Sequence, residues 1–223
     1  MLLVVLAGAA PVLAQSPYPV KPIRLINPFP PGGGASIIGR LIAQELTERL
    51  GQPVVFDNRG GAGGVIGMEI AAHAAPDGYT LTMSTASTVT IHPLLSKVPF
   101  DPIKDFAPIS HVSNVPLLLV VHPSVAAKST RELIALLKAQ PGKFNFASSG
   151  KGTISHLAGE LFKNSTGVSM VHVPFRGGGP ALVDEILKAS PGTLRVVELD
   201  DFDGEIFDAV AGSFAYLTGE DVA

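Results

Sequence analysis

Residues 28–36 read PFPPGGGAS. They stand between an apolar run, Ile23 to Asn27, and an amphipathic run that starts at Ile37, so a strand is expected to pass into a helix through them. Ile37, Ile38, Leu41, Ile42, Leu46 and Leu50 fall on one face of a helix over 36–50, and Gly51 follows as a stop. The first turn of a helix has backbone N–H groups without internal partners and a partial positive charge, so a carboxylate or phosphate can sit there. Glycine keeps side chains out of the approach. Pro30 and Pro31 fix the direction of the loop, so the amides are held ready rather than ordered on binding.

The same plan recurs in RGGAGGVIG at 59–67 and in SSGKGTISH at 148–156. One such loop is accounted for by a tight connection whose glycines take positive φ. Three of them at the same end of successive strands favour a ligand edge, because ligands of open α/β sheets bind at the carboxyl ends of the strands.

Outward from these loops the apolar period alternates between strand-like and helix-like, the pattern of an α/β fold. Strands are expected at 23–27, 54–56, 80–84, 109–112, 117–121, 144–147 and 171–173, and helices at 36–50, 65–75, 129–139, 155–165 and 180–188. Ser129-x-x-Glu132 is a capping box, and Pro141-Gly142 ends that helix. DPIKDFA, at 101–107, marks a break after which the strand–helix–strand order restarts.

The chain has 223 residues, 46% of them apolar, enough for a sizeable core in one or two domains. It has no cysteine, which excludes disulfides, thiol catalysis and cysteine-held metals. Residues 2–14, LLVVLAGAAPVLA, are too short to span a bilayer and end in Val12-Leu13-Ala14, the pattern of a secretory leader cleaved near Ala14, although no basic residue precedes Lys21. The formal charge of −3 hides an asymmetry: after position 188 one basic residue stands against eight acidic ones, and before it the chain is mildly basic. A mildly basic body attracts small anions. The dense basic stripe of a nucleic-acid binder is missing.

Around the third loop, Ser148, Ser149, Thr153 and Ser155 can each donate to an oxyanion, and His156 adds a donor in either charge state. Thr153 or Ser155 must also cap the helix. STASTVT, at 84–90, follows the strand at 80–84 and reaches the same sheet edge. Catalytic patterns are missing: there is no G-x-S-x-G elbow, no H-E-x-x-H, and Lys151 is followed by Gly152 where a phosphate loop needs Ser or Thr. The six histidines have no metal-ligand spacing. Gly61-x-Gly63-x-x-x-Gly67 resembles a dinucleotide fingerprint of the longer type, which leaves a nucleotide-dependent oxidoreductase as an alternative. Against it, DNRG inserts polar residues between strand and glycines, and no acidic residue about 20 positions on ends a next strand.

INPFPPGGGASIIGRLIAQEL, VVFDNRGGAGGVIG, APDGYTLTM, PFDPIKDFAPIS, SSGKGTISHLAGELF and VHVPFRGGGPAL together resemble, in order, the signature segments of the extracytoplasmic solute receptors of tripartite tricarboxylate transporters, the Bug-type binding proteins. The resemblance implies a periplasmic-binding-protein fold of type II, a Venus flytrap with lobes at 15–104 and 105–187. Such a fold closes by a hinge on a di- or tricarboxylic acid, an amino acid or an aromatic acid, and hands it to membrane permease subunits. It also implies a periplasmic monomer with no catalysis, cofactor, metal or nucleic-acid partner. By position, the family's ligand contacts fall on Phe29, Pro31, Gly32, Gly33 and Ser36, on Thr85 and Ser87, on Ser149, Thr153, Ser155 and His156, and on Phe175, Arg176 and Gly177.

Two departures stand out. Ser36 occupies the place where the family usually has Asp in GGxxD, and losing that negative charge eases the approach of an anion. After Leu187 the sequence no longer resembles the family's continuation, and the charge changes at the same point. The second lobe and its crossover are therefore expected to be incomplete, with 188–223 a divergent acidic tail from a frameshift, a fusion or a truncated gene, and a non-functional fragment is a further alternative. LRVVEL, at 194–199, is the part of that tail able to replace a strand; sheet edges left open would favour aggregation.

Overall fold

The computed structural model describes residues 18–181 and 193–198. The expected leader at 1–14, the helix beyond Ala181 and the acidic tail apart from 193–198 lie outside the described residues.

Parallel strands β1 (Ile23–Asn27), β2 (Val54–Asn58) and β3 (Thr80–Thr82) form a sheet in the order β2-β1-β3. β1 takes the middle because IRLIN is apolar on both faces: Ile23, Leu25 and Ile26 are all buried, as a parallel strand covered on two sides requires. Helix α1 (Gly34–Leu50) packs Ile42, Ala43, Leu46 and Leu50 into the cluster of Ile23, Leu25 and Val54. It ends on Gly51 at φ 65°, a left-handed cap. Near that end the Thr47 hydroxyl donates to the Ala43 carbonyl (2.7 Å) and accepts the Val54 N–H (2.9 Å), pinning the helix to the start of β2. A 3-10 turn at Ala62–Gly64 leads into α2 (Val65–Ala72).

Arg24 is the charged residue of β1, and it reaches sideways to β2. Its guanidinium donates to Asp57 Oδ2 at 2.8 and 2.6 Å, and Arg59 pairs with the same carboxylate at 2.9 Å. Burial pushes the Asp57 carboxyl up, but the two guanidinium partners outweigh it and hold the group below its ordinary value.

The second sheet holds β4 (Leu117–Val121), β5 (Asn145–Ser148), β6 (Val171–Pro174) and β7 (Thr193–Glu198) in the order β4-β7-β5-β6. β7 runs antiparallel to β4 and parallel to β5, so residues 193–198, which take in most of the LRVVEL run, supply an interior strand. Between the two sheets lie α3 (His92–Leu95) and the turn at 101–107. There the Asp101 carboxylate accepts the Ile103 and Lys104 N–H groups (2.9 and 3.1 Å), and Phe106 sits edge-on to Phe100. Helix α4 (Thr130–Ala139) opens on Ser129, whose hydroxyl accepts the Glu132 N–H (3.2 Å) while the Glu132 carboxylate accepts the Lys128 N–H (2.7 Å). Helix α5 (Ile154–Thr166) closes the core with Leu133, Leu137, Phe144, Phe146, Val168 and Met170.

The strand expected at 109–112 does not form. Ile109 and Val112 stay exposed, because these residues have no sheet to lie against and their alternation has no buried side to serve.

A Cβ placed at Gly159 in α5 would land on the Phe146 ring, which is 1% exposed and has no room to retreat. Alanine in a helix interior ordinarily gains about 1 kcal/mol over glycine, whereas overpacking a closed core costs roughly 1–3 kcal/mol. The second effect wins here. Gly159→Ala is expected to lower the midpoint of urea unfolding with an unchanged slope, and a raised midpoint would contradict this packing.

Candidate functional site

The first loop is set at its root by Asn27, the last residue of β1, which is fully buried. Its Nδ2 donates to the Phe29 carbonyl (2.9 Å) and to Asn58 Oδ1 (2.8 Å), and the Ser36 hydroxyl lies 3.4 Å from the same Asn58 oxygen. Gly33, extended, stands at the N-cap of α1 with no side-chain cap, and the first turn carries no acidic residue. The partial positive charge at this helix end is therefore left without a side-chain anion. Pro31 and Gly32 are exposed and Phe29 is half-buried.

The third loop is braced by its own hydroxyls. The Ser149 N–H donates to Ser155 Oγ (3.0 Å), and the two hydroxyls bond to each other at 2.8 Å. Thr153 is the cap of α5: its hydroxyl accepts the His156 N–H at 3.5 Å and donates to the Gly150 carbonyl at 2.7 Å. Ser148 donates to the Gly150 carbonyl (3.2 Å) and bonds His172 Nε2 (2.7 Å). All four hydroxyl residues are buried and face one another or the backbone.

Beneath them two imidazoles stack, His156 on α5 and His172 on β6, with centroids 3.9 Å apart at 22°. Phe146 lies against His172 at 4.8 Å. The Gly152 N–H donates to His156 Nδ1 (3.2 Å), which fixes the neutral tautomer with its proton on Nε2, 3.9 Å from Glu160 Oε1.

The two lobes meet through loops. Ser87 Oγ accepts the N–H of Ile154, the first residue of α5, at 2.9 Å. A Cβ placed at Gly179 would stand 2.8 Å from the Pro31 carbonyl oxygen, and one at Gly177 would stand 2.6 Å from the Pro30 ring. One at Gly32 would stand 3.5 Å from Gly179 Cα, and one at Gly150 3.6 Å from Gly63 Cα. The seam thus gathers Pro31, Gly32, Gly33 and Ser87 with the Ser149–Ser155 turn and Gly177, whereas Phe29 packs within its own lobe beside Gly60 and Gly64. Phe175 is half-buried, its N–H bonded to the Ser148 carbonyl (3.0 Å), and Arg176 is exposed. Thr85 lies just before the seam segment with its hydroxyl buried and without a partner.

The middle loop has a different use. A side chain at Gly61 would meet Ile66, at Gly63 His92, at Gly64 Thr88 and Phe29, and at Gly67 Pro28. The glycines that resemble a dinucleotide fingerprint are spent on close packing against these neighbours. Sequence reading missed Asn27, His92 and Gly179. Asn27 carries one legible signal, a lone amide ending an apolar strand, whereas His92 carries none.

Two α/β lobes whose glycine-rich loops meet at a common seam constitute a periplasmic-binding-protein fold. Residues 38–199 match the tripartite tricarboxylate transporter family receptor, and the chain belongs to that family. The match runs past Leu187 and takes in β7. Protein BugT of Bordetella pertussis is 45% identical over 178 residues, 79% of this chain and 54% of the relative. The chain spans about half the length of the relatives it matches. A solved periplasmic transporter superposes with a TM-score of 0.78 at 44% identity, over 82% of this chain and 61% of that one. An R. palustris protein solved with adipate gives 0.78 at 32% identity, over 88% and 64%. MatC from Rhodopseudomonas palustris with bound malate gives 0.73 at 29%, over 90% and 65%.

Burial pushes the His172 imidazole down to about 4, and the adjoining His156 ring adds to the shift; burial lowers His156 as well. Both rings are neutral when folded and titrate near ~6.5 when unfolded. The stability tied to them is complete above that value and is lost as pH falls from there toward 4. His172→Gln, which can still bond Ser148, is expected to flatten the fall in melting temperature between those two limits. An equally steep fall in the variant would refute this assignment.

Proposed function

We propose that this chain acts as an extracytoplasmic solute receptor that binds a small carboxylate between its lobes for a transporter of the tripartite tricarboxylate type, with no chemical step. The observation that carries this reading is the N-terminus of α1, uncapped and free of acidic residues, set opposite a second loop that approaches it with glycine alone. The N–H groups of Gly34 and Ala35 lack intrahelical partners by construction, and they offer a carboxylate two donors and half a positive charge. Gly32 and Gly33 put no side chain into the approach, Ser36 brings no acid to the helix end and is itself buried beside Asn58, and the exposed Arg176 supplies a cation from the other lobe. Phe29 and Phe175 form apolar walls.

Within this reading Ser149, Thr153, Ser155 and His156 act chiefly by holding their loop in shape, since their polar atoms are already engaged there. Thr85 keeps an unengaged hydroxyl for the ligand. Adipate and malate in the two neighbouring structures support a ligand with two carboxylates. The family supports a periplasmic location and membrane permease subunits as partners, and we take the receptor to work as a monomer.

A folded chain is expected to gain thermal stability from an acid such as malate or adipate, by about 2.7 kcal/mol at a hundred times the dissociation constant. No shift with any of a panel of organic acids would sink the reading. Gly179→Ala places a methyl group against the Pro31 carbonyl and keeps the lobes from meeting. Its affinity is expected to fall at least about tenfold, near 1.4 kcal/mol, with the circular dichroism spectrum unchanged.

A further inference from the structure

Among the described residues three buried side-chain atoms lack a hydrogen-bond partner: Asn27 Oδ1, Thr85 Oγ1 and His92 Nε2. The first belongs to the root of the first loop and the second to the proposed ligand cleft. His92 belongs to neither, and it lies on the seam. The residue is 7% exposed, and its ring is held between Gly63 of the first lobe and Gly152 of the second. A Cβ at Gly63 would clash with Nε2, and one at Gly152 would stand 2.7 Å from Cε1 and 3.1 Å from Nδ1. Both glycines have positive φ, 65° and 79°, so each loop bends its bare backbone toward the ring. Five residues earlier on the same segment, Ser87 accepts the Ile154 N–H across the seam.

We infer that Ser87–His92 is the latch by which the first lobe holds the second, with His92 as a positioning residue whose ring is enclosed only when the lobes are shut. The inference rests on the proposed reading, in which ligand is held by closure. One wall of the His92 site is Gly152, so parting the lobes brings the ring into water. Enclosure holds the imidazole below its ordinary value, opposed only by the Gly63 backbone.

An uncovered ring titrates near ~6.5. Closure is therefore complete above that value and weakens as pH falls through it, since the closed seam excludes the protonated ring. The charged groups around the site do not reverse this direction. On the second lobe Lys151 is exposed and carries like charge, and His156 is tied to the Gly152 N–H. On the first lobe Arg59 is occupied by Asp57, and α3 itself contributes no further charge.

The absence of cysteine allows clean labelling of the full chain. Spin labels at Gln44→Cys on α1 and Lys138→Cys on α4, both exposed, report lobe separation by pulsed electron resonance. Distances are read between pH 8 and 5, alone and with malate or adipate. The long-distance population is expected to rise severalfold as pH falls through about 6.5, and to stay flat in His92→Gln. Ser87→Ala is expected to raise that population at every pH without moving the midpoint, and it serves as the second variant should His92→Gln fail to fold. A wild-type distance that ignores pH, or the same response in His92→Gln, overturns the latch. A pH response in a chain that binds none of the acids would leave the latch standing and remove the proposed function. Acid binding with no pH response would do the reverse.

Discussion

Beside the Ser87 and His92 side chains, the contact between the lobes is made by closely approaching main chain. Gly179 meets the Pro31 carbonyl and Gly32, Gly150 meets Gly63, and Gly177 meets the Pro30 ring. A single methyl group at Gly177 or Gly179 would require the opposing chain to move. This constraint explains the glycines of the first loop and of the 177–179 turn that meets it. Glycine is used where two main chains must approach, proline where one of them must be rigid enough to be approached. The polar side chains nearby are drawn inward to hold each loop in the shape the other expects.

This division of labour makes the hydroxyl-rich turn of the second lobe a scaffold. Ser148, Ser149, Thr153 and Ser155 form one short network whose acceptors include the Gly150 carbonyl and whose neighbours are the stacked pair His156 and His172. Networks of this kind fix one conformation when every member is satisfied. The first lobe sets its loop through the Asn27 amide, which bonds the Phe29 carbonyl and Asn58 Oδ1. Each lobe thus supplies a loop positioned from its own sheet.

Much of the fold was legible because period and punctuation agree along most of residues 18–181. The stop at Gly51, the box at Ser129 and the buried β1 emerge where apolar spacing puts them, and Ile38, Ile42, Leu46 and Leu50 turn inward on α1, whereas Ile37 and Leu41 of the same expected face stay exposed. The segment 109–112 misled because alternation alone does not reveal whether a sheet edge is available. LRVVEL was readable as a strand, but its place between β4 and β5 is a tertiary fact that local pattern does not encode. In the site, the loops were legible and their use was only partly so. A hydroxyl that turns toward a carbonyl looks the same in sequence as one that turns toward a ligand. His92 was illegible for the same reason, since its partners are two glycines from loops far apart in the chain.

The position of β7 bears on assembly. β4 spans 117–121 and reaches β5 only across residues 193–198, so the two strands cannot join until a segment from much later in translation slides in antiparallel to one and parallel to the other. Closing such long intervals is entropically slow. The first sheet, drawn entirely from residues 23–82, has no such wait. The first sheet's three strands can therefore pair while the second sheet still waits for β7, and that interval is when chaperones have most to do.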